Sequence, residues 1–275
     1  MRILRGQHAP LPHDGPGCAL TIGNFDGVHR GHQAMLALLQ SEARHRGLRS
    51  CVMTFEPHPR DYFAQRAGQP DKAPTRIATL RDKLRELARC GVDDVVVLRF
   101  NEALASLPAE DFIQHMLVAR LNARYVLVGD DFRFGARRTG DYTMLDASGA
   151  RLGFDVARMM SYEVHGLRVS SSAVRAALAA GEMERAATLL GRPYAISGHV
   201  VHGKKLGREL GFRTLNLRFP FHRPAASGIY VVRVHGLGGT PLPGVASLGV
   251  RPTVEDAGRV LLETHCLGWP DALGE

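Results

Sequence analysis

Gly23-Asn24-Phe25-Asp26-Gly27-Val28-His29-Arg30-Gly31-His32 decides the reading of this chain. It follows a short apolar run at 19–22 and precedes an amphipathic stretch at 31–46. A glycine-rich turn between a strand and a helix lets the backbone bend tightly and approach a phosphate closely. The helix start adds amide donors and a positive dipole end. Two imidazoles, His29 and His32, stand beside that anion site. As donors there, they would neutralise charge building on an α-phosphate while pyrophosphate leaves. For one loop histidine, a solvent-exposed side chain on a tight turn is the plainer reading. Two histidines bracketing a glycine at the first strand–helix crevice favour the phosphate site. Zinc is a poor fit, because no cysteine or third acid ligand stands nearby.

Working outward, strand patterns at 19–22, 51–55, 94–98 and 125–128 alternate with helical ones at 31–46, 77–89 and 109–121. Met35, Leu36, Leu39 and Ala43 fall on one face of the first helix, and Leu80, Leu84, Leu87 and Ala88 on the inward face of the second. Such alternation predicts an α/β fold, Rossmann-like, with a parallel sheet covered on both faces. Two short helices follow between 170 and 190, with Gly181 and Gly191 at their ends and Pro193 as a stop. Beyond Pro193 the pattern turns β-rich, at 194–201, 214–217, 228–234, 244–248 and 260–266, with Gly and Pro between the runs. That predicts a small all-β barrel or sandwich. The expected domains are 1–185 and 186–275.

The composition is that of a globular protein, with 45% hydrophobic and 23% charged residues. No apolar run approaches the ~20 residues that span a bilayer, and the N-terminus lacks the apolar core of a signal peptide. The expected location is the cytoplasm, with no membrane partner. Cys18, Cys51, Cys90 and Cys266 form no CxxC pair and read as structural thiols. The net charge of +8 suits polyanionic partners. The basic residues are dispersed and no aromatic-rich RNA-binding signature is present, so phosphorylated small molecules explain the charge better than nucleic acid.

Val128-Gly129-Asp130-Asp131-Phe132-Arg133-Phe134-Gly135 follows another strand. Its acids therefore sit at the same carboxyl-end crevice as the histidines. A solvated acidic turn is the alternative for Asp130 and Asp131, and core packing the alternative to ligand stacking for Phe132 and Phe134. Ser170-Ser171-Ser172-Ala173-Val174-Arg175 opens a helix. Any one serine reads first as an N-cap. Ser171 and Ser172 with Arg175 one turn inside also make a cradle for a triphosphate.

In the β-rich third, residues 198–205 superficially copy a P-loop. Lys205 occupies the Ser/Thr position and no helix follows, so a P-loop NTPase is excluded. Gly203, Lys204, Gly207 and Gly211 instead read as a flexible flap whose amides can wrap a nucleotide. Thr214 and Asn216 lie two apart on a strand and share a face, a hard oxygen pair suited to Mg²⁺ shared with substrate phosphates. A glycine-rich hairpin before an ordinary edge strand is the alternative.

The HxGH tetrapeptide resembles the nucleotidyltransferase superfamily. The longer run of residues 23–33, the Thr54-Phe55-Glu56-Pro57-His58-Pro59 segment and the 128–135 loop resemble its FMN adenylyltransferase branch. The 203–216 segment resembles riboflavin kinase, with Arg213 and Leu215 replacing that family's Pro and Ala. The whole is similar to the bifunctional prokaryotic FAD synthetases. The resemblance implies transfer of AMP from ATP to FMN, giving FAD, and phosphorylation of riboflavin, with Mg²⁺ as cofactor. It implies ATP contacts at Gly23, Asn24, Phe25, Asp26, His29, His32, Ser171, Ser172 and Arg175. It assigns the flavin and nucleotide pocket to Asp130, Asp131, Phe132 and Phe134, and the kinase's catalytic acid to Glu263.

Gly268 stands where the family carries an Asp, and the chain stops at Glu275 where the family continues with a strand and a helix. The expectation is weak or absent kinase activity. The alternative functions are a nucleotidyltransferase for another phosphorylated acceptor, or a basic nucleic-acid-binding or regulatory protein with a dead site.

Overall fold

The computed structural model describes residues 1–6, 15–164, 166–201, 214–218, 221, 223–250 and 260–268. In chain order the elements of the first two-thirds are β1 (Arg2–Arg5), β2 (Cys18–Ile22), α1 (Arg30–His45), β3 (Arg49–Glu56), α2 (Pro59–Arg66), α3 (Leu80–Arg89), β4 (Asp94–Arg99), α4 (Glu102–Ala105), α5 (Ala109–Asp111), β5 (Ala123–Gly129), α6 (Tyr142–Leu152) and β6 (Asp155–Met159). The hairpin β7 (Glu163–Val164) and β8 (Leu167–Arg168) then leads to α7 (Ser171–Ala179) and α8 (Met183–Leu190). The last third contains β9 (Val200–Val201), β10 (Thr214–Arg218), β11 (Gly228–Val234), β12 (Leu242–Val250) and β13 (Val260–Cys266).

The first six strands form one sheet in the order β1-β4-β3-β2-β5-β6, and every pairing in it is parallel. Successive residues of a strand point to opposite faces, and both faces are apolar here. Leu20, Ile22, Cys51, Met53, Val126 and Val128 meet Phe112, Ile113, Leu117 and Leu145 on one side. On the other, Val52, Val95 and Val97 meet Leu36, Leu84 and Leu87, while Ala19 and Leu127 meet Leu39 and Ala43. That two-sided burial is why the strands read as continuous apolar runs.

The sequence pattern missed β1, α2, α4, α6, β6 and the β7–β8 hairpin. Arg2–Arg5 is a short, mostly exposed edge strand without a buried stripe, and β6 is only partly buried. The expected helix at 109–121 is one α-turn followed by a π-helical segment, Phe112–Arg120. The inward face of α3 also differs: Ala88 is exposed, and Lys83 is buried with Leu84 and Leu87.

The last third holds a five-stranded sheet in the order β11-β12-β13-β10-β9, antiparallel throughout. Residues 194–199, expected to extend β9, are irregular. All four cysteines are free thiols, with Cys18, Cys51 and Cys266 buried. Among the described residues, no helix is long and apolar enough to cross a membrane.

By contact the chain forms two compact units. One comprises Met1–Pro74, Leu80–Ser171 and Leu189–Gly191; the other comprises Thr75–Thr79, Ser172–Thr188 and Arg192–Glu275.

Candidate functional site

The sheet order reverses direction at β2, which has β3 on one side and β5 on the other. Open α/β sheets leave a crevice at such a reversal, beyond the carboxyl ends of the strands. The 23–32 turn leaves the end of β2 and the 130–135 loop leaves the end of β5.

The turn is held under strain. Phe25 and Val28 have φ of 49° and 42°, and Gly27 has 81°. Val28 is β-branched, for which a left-handed backbone is a steric outlier, and such a residue costs about 1–3 kcal/mol. Phe25 and Val28 are both buried in the cluster with Leu36, Leu84 and Leu87, so packing holds what the local backbone disfavours. Gln33 adds a clamp, its amide donating to the carbonyl oxygens of Val28 and Leu190, each at 2.8 Å. Thr54 Oγ1 donates to the carbonyl of Asn24 at 3.2 Å, and Ser171 Oγ donates to that of Asp26 at 3.1 Å.

His29 is the N-cap of α1: its Nδ1 accepts the backbone N–H of His32 at 3.3 Å. An accepting Nδ1 carries no proton, so the neutral ring bears its N–H on Nε2. The His32 ring stacks on it, with centroids 3.6 Å apart and planes 16° from parallel. Phe25 lies against the other imidazole, 4.9 Å from the His32 centroid. Gly31 permits this contact. A Cβ there would lie 3.3 Å from His29 Cε1 and Nδ1 and 3.4 Å from the Val169 carbonyl oxygen.

Burial, then the neighbouring His29 and Lys83, push the His32 pKa well below the usual imidazole range. The surroundings thus favour the neutral His32 ring, which offers a ligand one lone pair and one N–H. Its Nδ1 and the Asn24 Oδ1 are both buried without a hydrogen-bond partner. Two orphaned polar atoms in one turn mark a place where a polar ligand completes the hydrogen bonding.

The sequence missed the inner support of this turn. Lys83 is 1% exposed, and its Nζ donates to Thr54 Oγ1 at 3.3 Å. The signal was present: residues 80, 83, 84 and 87 follow one helical stripe.

The other expected contacts of this site are placed as follows. Ser171 begins α7 beside Asp26, whose residue is 1% exposed. Ser172 is exposed. Arg175, in the second unit, donates from Nε to the Thr75 carbonyl at 2.6 Å. In the loop after β5, Ser161 Oγ donates to Asp130 at 2.7 Å, and Arg168 lies 3.7 Å away. The Ser161 hydrogen bond leads the causes that hold Asp130 below its ordinary pKa. Asp131 is exposed. Phe134 is buried against Phe112 at 5.7 Å. Half-buried Phe132 stacks on it at 5.4 Å, so Phe134 walls the loop and Phe132 forms its outer aromatic surface.

In the second unit, Gly203, Lys204, Gly207 and Gly211 lie outside the described residues. Thr214, Asn216 and Glu263 are described. β10 pairs with β13 so that Thr214 stands opposite His265 and Asn216 opposite Glu263. Facing residues of an antiparallel pair put their side chains on the same side, with Cβ atoms about 5 Å apart. The two oxygen-bearing side chains and the carboxylate thus share one face. Asn216 is 6% exposed, and its Oδ1 is buried without a hydrogen-bond partner. A buried amide oxygen beside a hydroxyl and a carboxylate fits a hard, oxygen-seeking cation such as Mg²⁺. Among the described residues, no cluster of three or more His, Cys, Asp and Glu side chains could hold a metal.

Residues 11–173 match the FAD synthetase family and residues 190–275 the riboflavin kinase family. The bifunctional riboflavin kinase/FMN adenylyltransferase of Escherichia coli (strain K12) is 49% identical over 267 residues, covering 97% of this chain and 83% of that protein. The proteins of the same description from Pseudomonas fluorescens and Haemophilus influenzae are 46% and 42% identical, covering 97% and 96% of this chain and 83% and 84% of their own lengths. A solved structure described as a macrolide-efflux protein from Streptococcus pneumoniae superposes with a TM-score of 0.80 at 28% identity, covering 98% of this chain and 86% of that one.

Proposed function

This chain belongs to the family of bifunctional riboflavin kinases/FMN adenylyltransferases, and from that premise we propose which of its residues carry each activity. The enzyme phosphorylates riboflavin to FMN with ATP, and transfers the adenylyl group of a second ATP to FMN, giving FAD and pyrophosphate. The other readings of the sequence, a different phosphorylated acceptor or a dead nucleic-acid-binding protein, are not favoured. We divide the work between residues 1–185 for adenylyl transfer and 186–275 for the kinase.

One observation carries the adenylyl site: the stacked His29–His32 pair at the sheet's reversal, with buried atoms lacking partners beside it. ATP would lay its triphosphate along the 23–32 turn, on backbone amides, His29, His32 and Ser171; the resemblance alone adds Ser172 and Arg175. An FMN phosphate oxygen then attacks the α-phosphorus in line. The new P–O bond forms as the bond to the β-phosphate oxygen breaks, and the electron pair leaves with pyrophosphate. No covalent enzyme intermediate is needed. Positioning and the imidazole N–H groups, aimed at oxygens whose charge grows during transfer, supply the acceleration. Phe132 offers the flavin ring a surface, with Asp130 and Asp131 beside it.

In the kinase half, Glu263 would accept the proton of the ribityl hydroxyl as that oxygen attacks the γ-phosphorus, while the bond from that phosphorus to the bridging oxygen breaks and ADP leaves with the electron pair. Thr214 and Asn216 would hold Mg²⁺ together with ATP phosphates, where its charge offsets theirs. By the resemblance, Gly203, Lys204, Gly207 and Gly211 would contact the nucleotide. An enzyme that consumes ATP works where ATP is made, which keeps the cytoplasm as our reading of its location.

Incubating the pure chain with ATP and Mg²⁺, with riboflavin or with FMN, and separating the flavins by chromatography tests both halves. FMN should give FAD, and His29→Ala or His32→Ala should lower its formation by about 100-fold or more in a folded protein. Undiminished FAD formation in both variants would refute the assigned site.

A further inference from the structure

We propose that Lys83 is a positioning residue for adenylyl transfer: from α3 it steadies the turn carrying His29 and His32 through Thr54, and it sets a fixed positive charge behind the imidazole pair. This inference rests on reading the 23–32 turn as the nucleotide site.

The argument starts from where the lysine lies. Lys83 is 1% exposed, on the stripe of α3 that buries Leu84 and Leu87. Lysines are almost never buried so completely unless paired, because an ammonium loses its hydration there. A leucine at this position would extend the apolar stripe without that cost. The lysine is instead joined to the turn. Its Nζ donates to Thr54 Oγ1 at 3.3 Å, and the same hydroxyl donates to the Asn24 carbonyl at 3.2 Å. One hydroxyl can do both, since it has one proton and two lone pairs. The relay reaches the residue whose own Oδ1 lacks a partner.

The second strand of the argument is electrostatic. The His29 ring from its own turn and the uncharged Phe25 ring lie against His32, and the Lys83 ammonium of α3 is near enough to oppose its charge. Asp26, also on the turn, is the nearest acid in sequence and is buried. Burial first, then His29 and Lys83, disfavour a proton on His32. A neutral His32 stays stacked on His29, with a lone pair and an N–H for a ligand. A charged His32 would be repelled by Lys83 and withdrawn from the stack. Lys83 thus supplies positive potential for a triphosphate without requiring the histidine to ionise.

The test compares the full chain with its Lys83→Met and Lys83→Arg variants. FAD formation from FMN is followed between pH 5 and 8, with circular dichroism and thermal melting of each variant as the control of folding. Comparing variants cancels the titration of ATP itself. In Lys83→Met we expect kcat to fall about 10-fold or more, KM for FMN to change less than about two-fold, and the acid limb to move up toward the ordinary imidazole value of about 6.5. Lys83→Arg keeps the charge and should return the limb to its wild-type position. A wild-type kcat in Lys83→Met, or a lower kcat with an unmoved acid limb, overturns the proposal. Should Lys83→Met fail to fold, nitrogen NMR of the wild-type protein decides instead, with the His32 signal assigned from His32→Gln. Titration of that signal near 6.5 overturns the proposal, and a neutral ring at pH 6 supports it. Loss of the Lys83 effect while His32→Gln abolishes FAD formation removes this inference alone; an active His32→Gln removes the nucleotide site itself.

Discussion

Asn216 of β10 and Glu263 of β13 face each other across the antiparallel ladder. The Asn216 amide oxygen is buried there without a hydrogen-bond partner. Under the proposed assignment Glu263 would accept a proton and Asn216 would hold a cation, neighbours of the kind that transfer of a γ-phosphoryl group to a hydroxyl requires. Glu263→Gln should lower riboflavin phosphorylation by about 100-fold or more, the usual contribution of a general base. FAD formation from supplied FMN should stay within about two-fold of wild type. Separate assays with riboflavin and with FMN read both.

His29 has two duties that substitution can separate. As the N-cap of α1 its Nδ1 accepts the His32 N–H, while in the proposed site its Nε2 side would serve the ligand. His29→Asn can replace the cap but not the imidazole N–H. It should melt close to wild type, yet form FAD about 100-fold more slowly, the scale of one lost transition-state donor. His29→Ala should lose activity similarly and also about 1 kcal/mol of stability. Thermal melts beside FAD assays distinguish the two.

Gly31 is constrained by contact with the His29 ring and the Val169 carbonyl. Alanine is the better helix former by about 1 kcal/mol, so Gly31→Ala should not unfold the protein. The added Cβ, 3.3 Å from His29 Cε1 and Nδ1, must displace the ring. Slower FAD formation with little change in melting temperature is the expected result, read from kinetics and calorimetry.

Folding stability should fall as pH drops through the histidine range, and His32 should carry part of that fall. Its folded pKa lies well below the ordinary value because burial, His29 and Lys83 oppose its charge. Below about 6.5 the unfolded chain binds a proton that the folded ring refuses, which favours unfolding by up to about 1.4 kcal/mol per pH unit. His32→Gln should flatten the slope between pH 7 and 5.5. Urea denaturation at several pH values measures it.

At the amino edge of the parallel sheet, Asp94 is 1% exposed and accepts hydrogen bonds from both Arg2 and Arg49. Burial alone would raise its pKa, but the two guanidiniums outweigh burial and hold it below the ordinary carboxylate value. The stabilisation is therefore present above about pH 3.9 and lost as pH falls through the depressed pKa. Removing both arginines leaves the carboxylate buried without them. Arg2→Ala/Arg49→Ala should cost about 3 kcal/mol, measured by denaturation at pH 7, and each single change much less.

By itself the sequence determined the alternation of strands and helices, the change to β structure after Pro193 and the motif that begins at Gly23, because periodicity and turn chemistry are written within a few residues of one another. β11 and β13 match their patterns residue for residue, at Gly228–Val234 and Val260–Cys266. Where local pattern was weak, as in Arg2–Arg5 and Tyr142–Leu152, the elements went unread. Only the tertiary structure decided that Asn216 faces Glu263, that a lysine on a leucine stripe is joined through Thr54 to the histidine turn, and that burial disfavours a proton on His32. Strand register and the desolvation of a charge depend on neighbours distant in the chain. No local spacing encodes them.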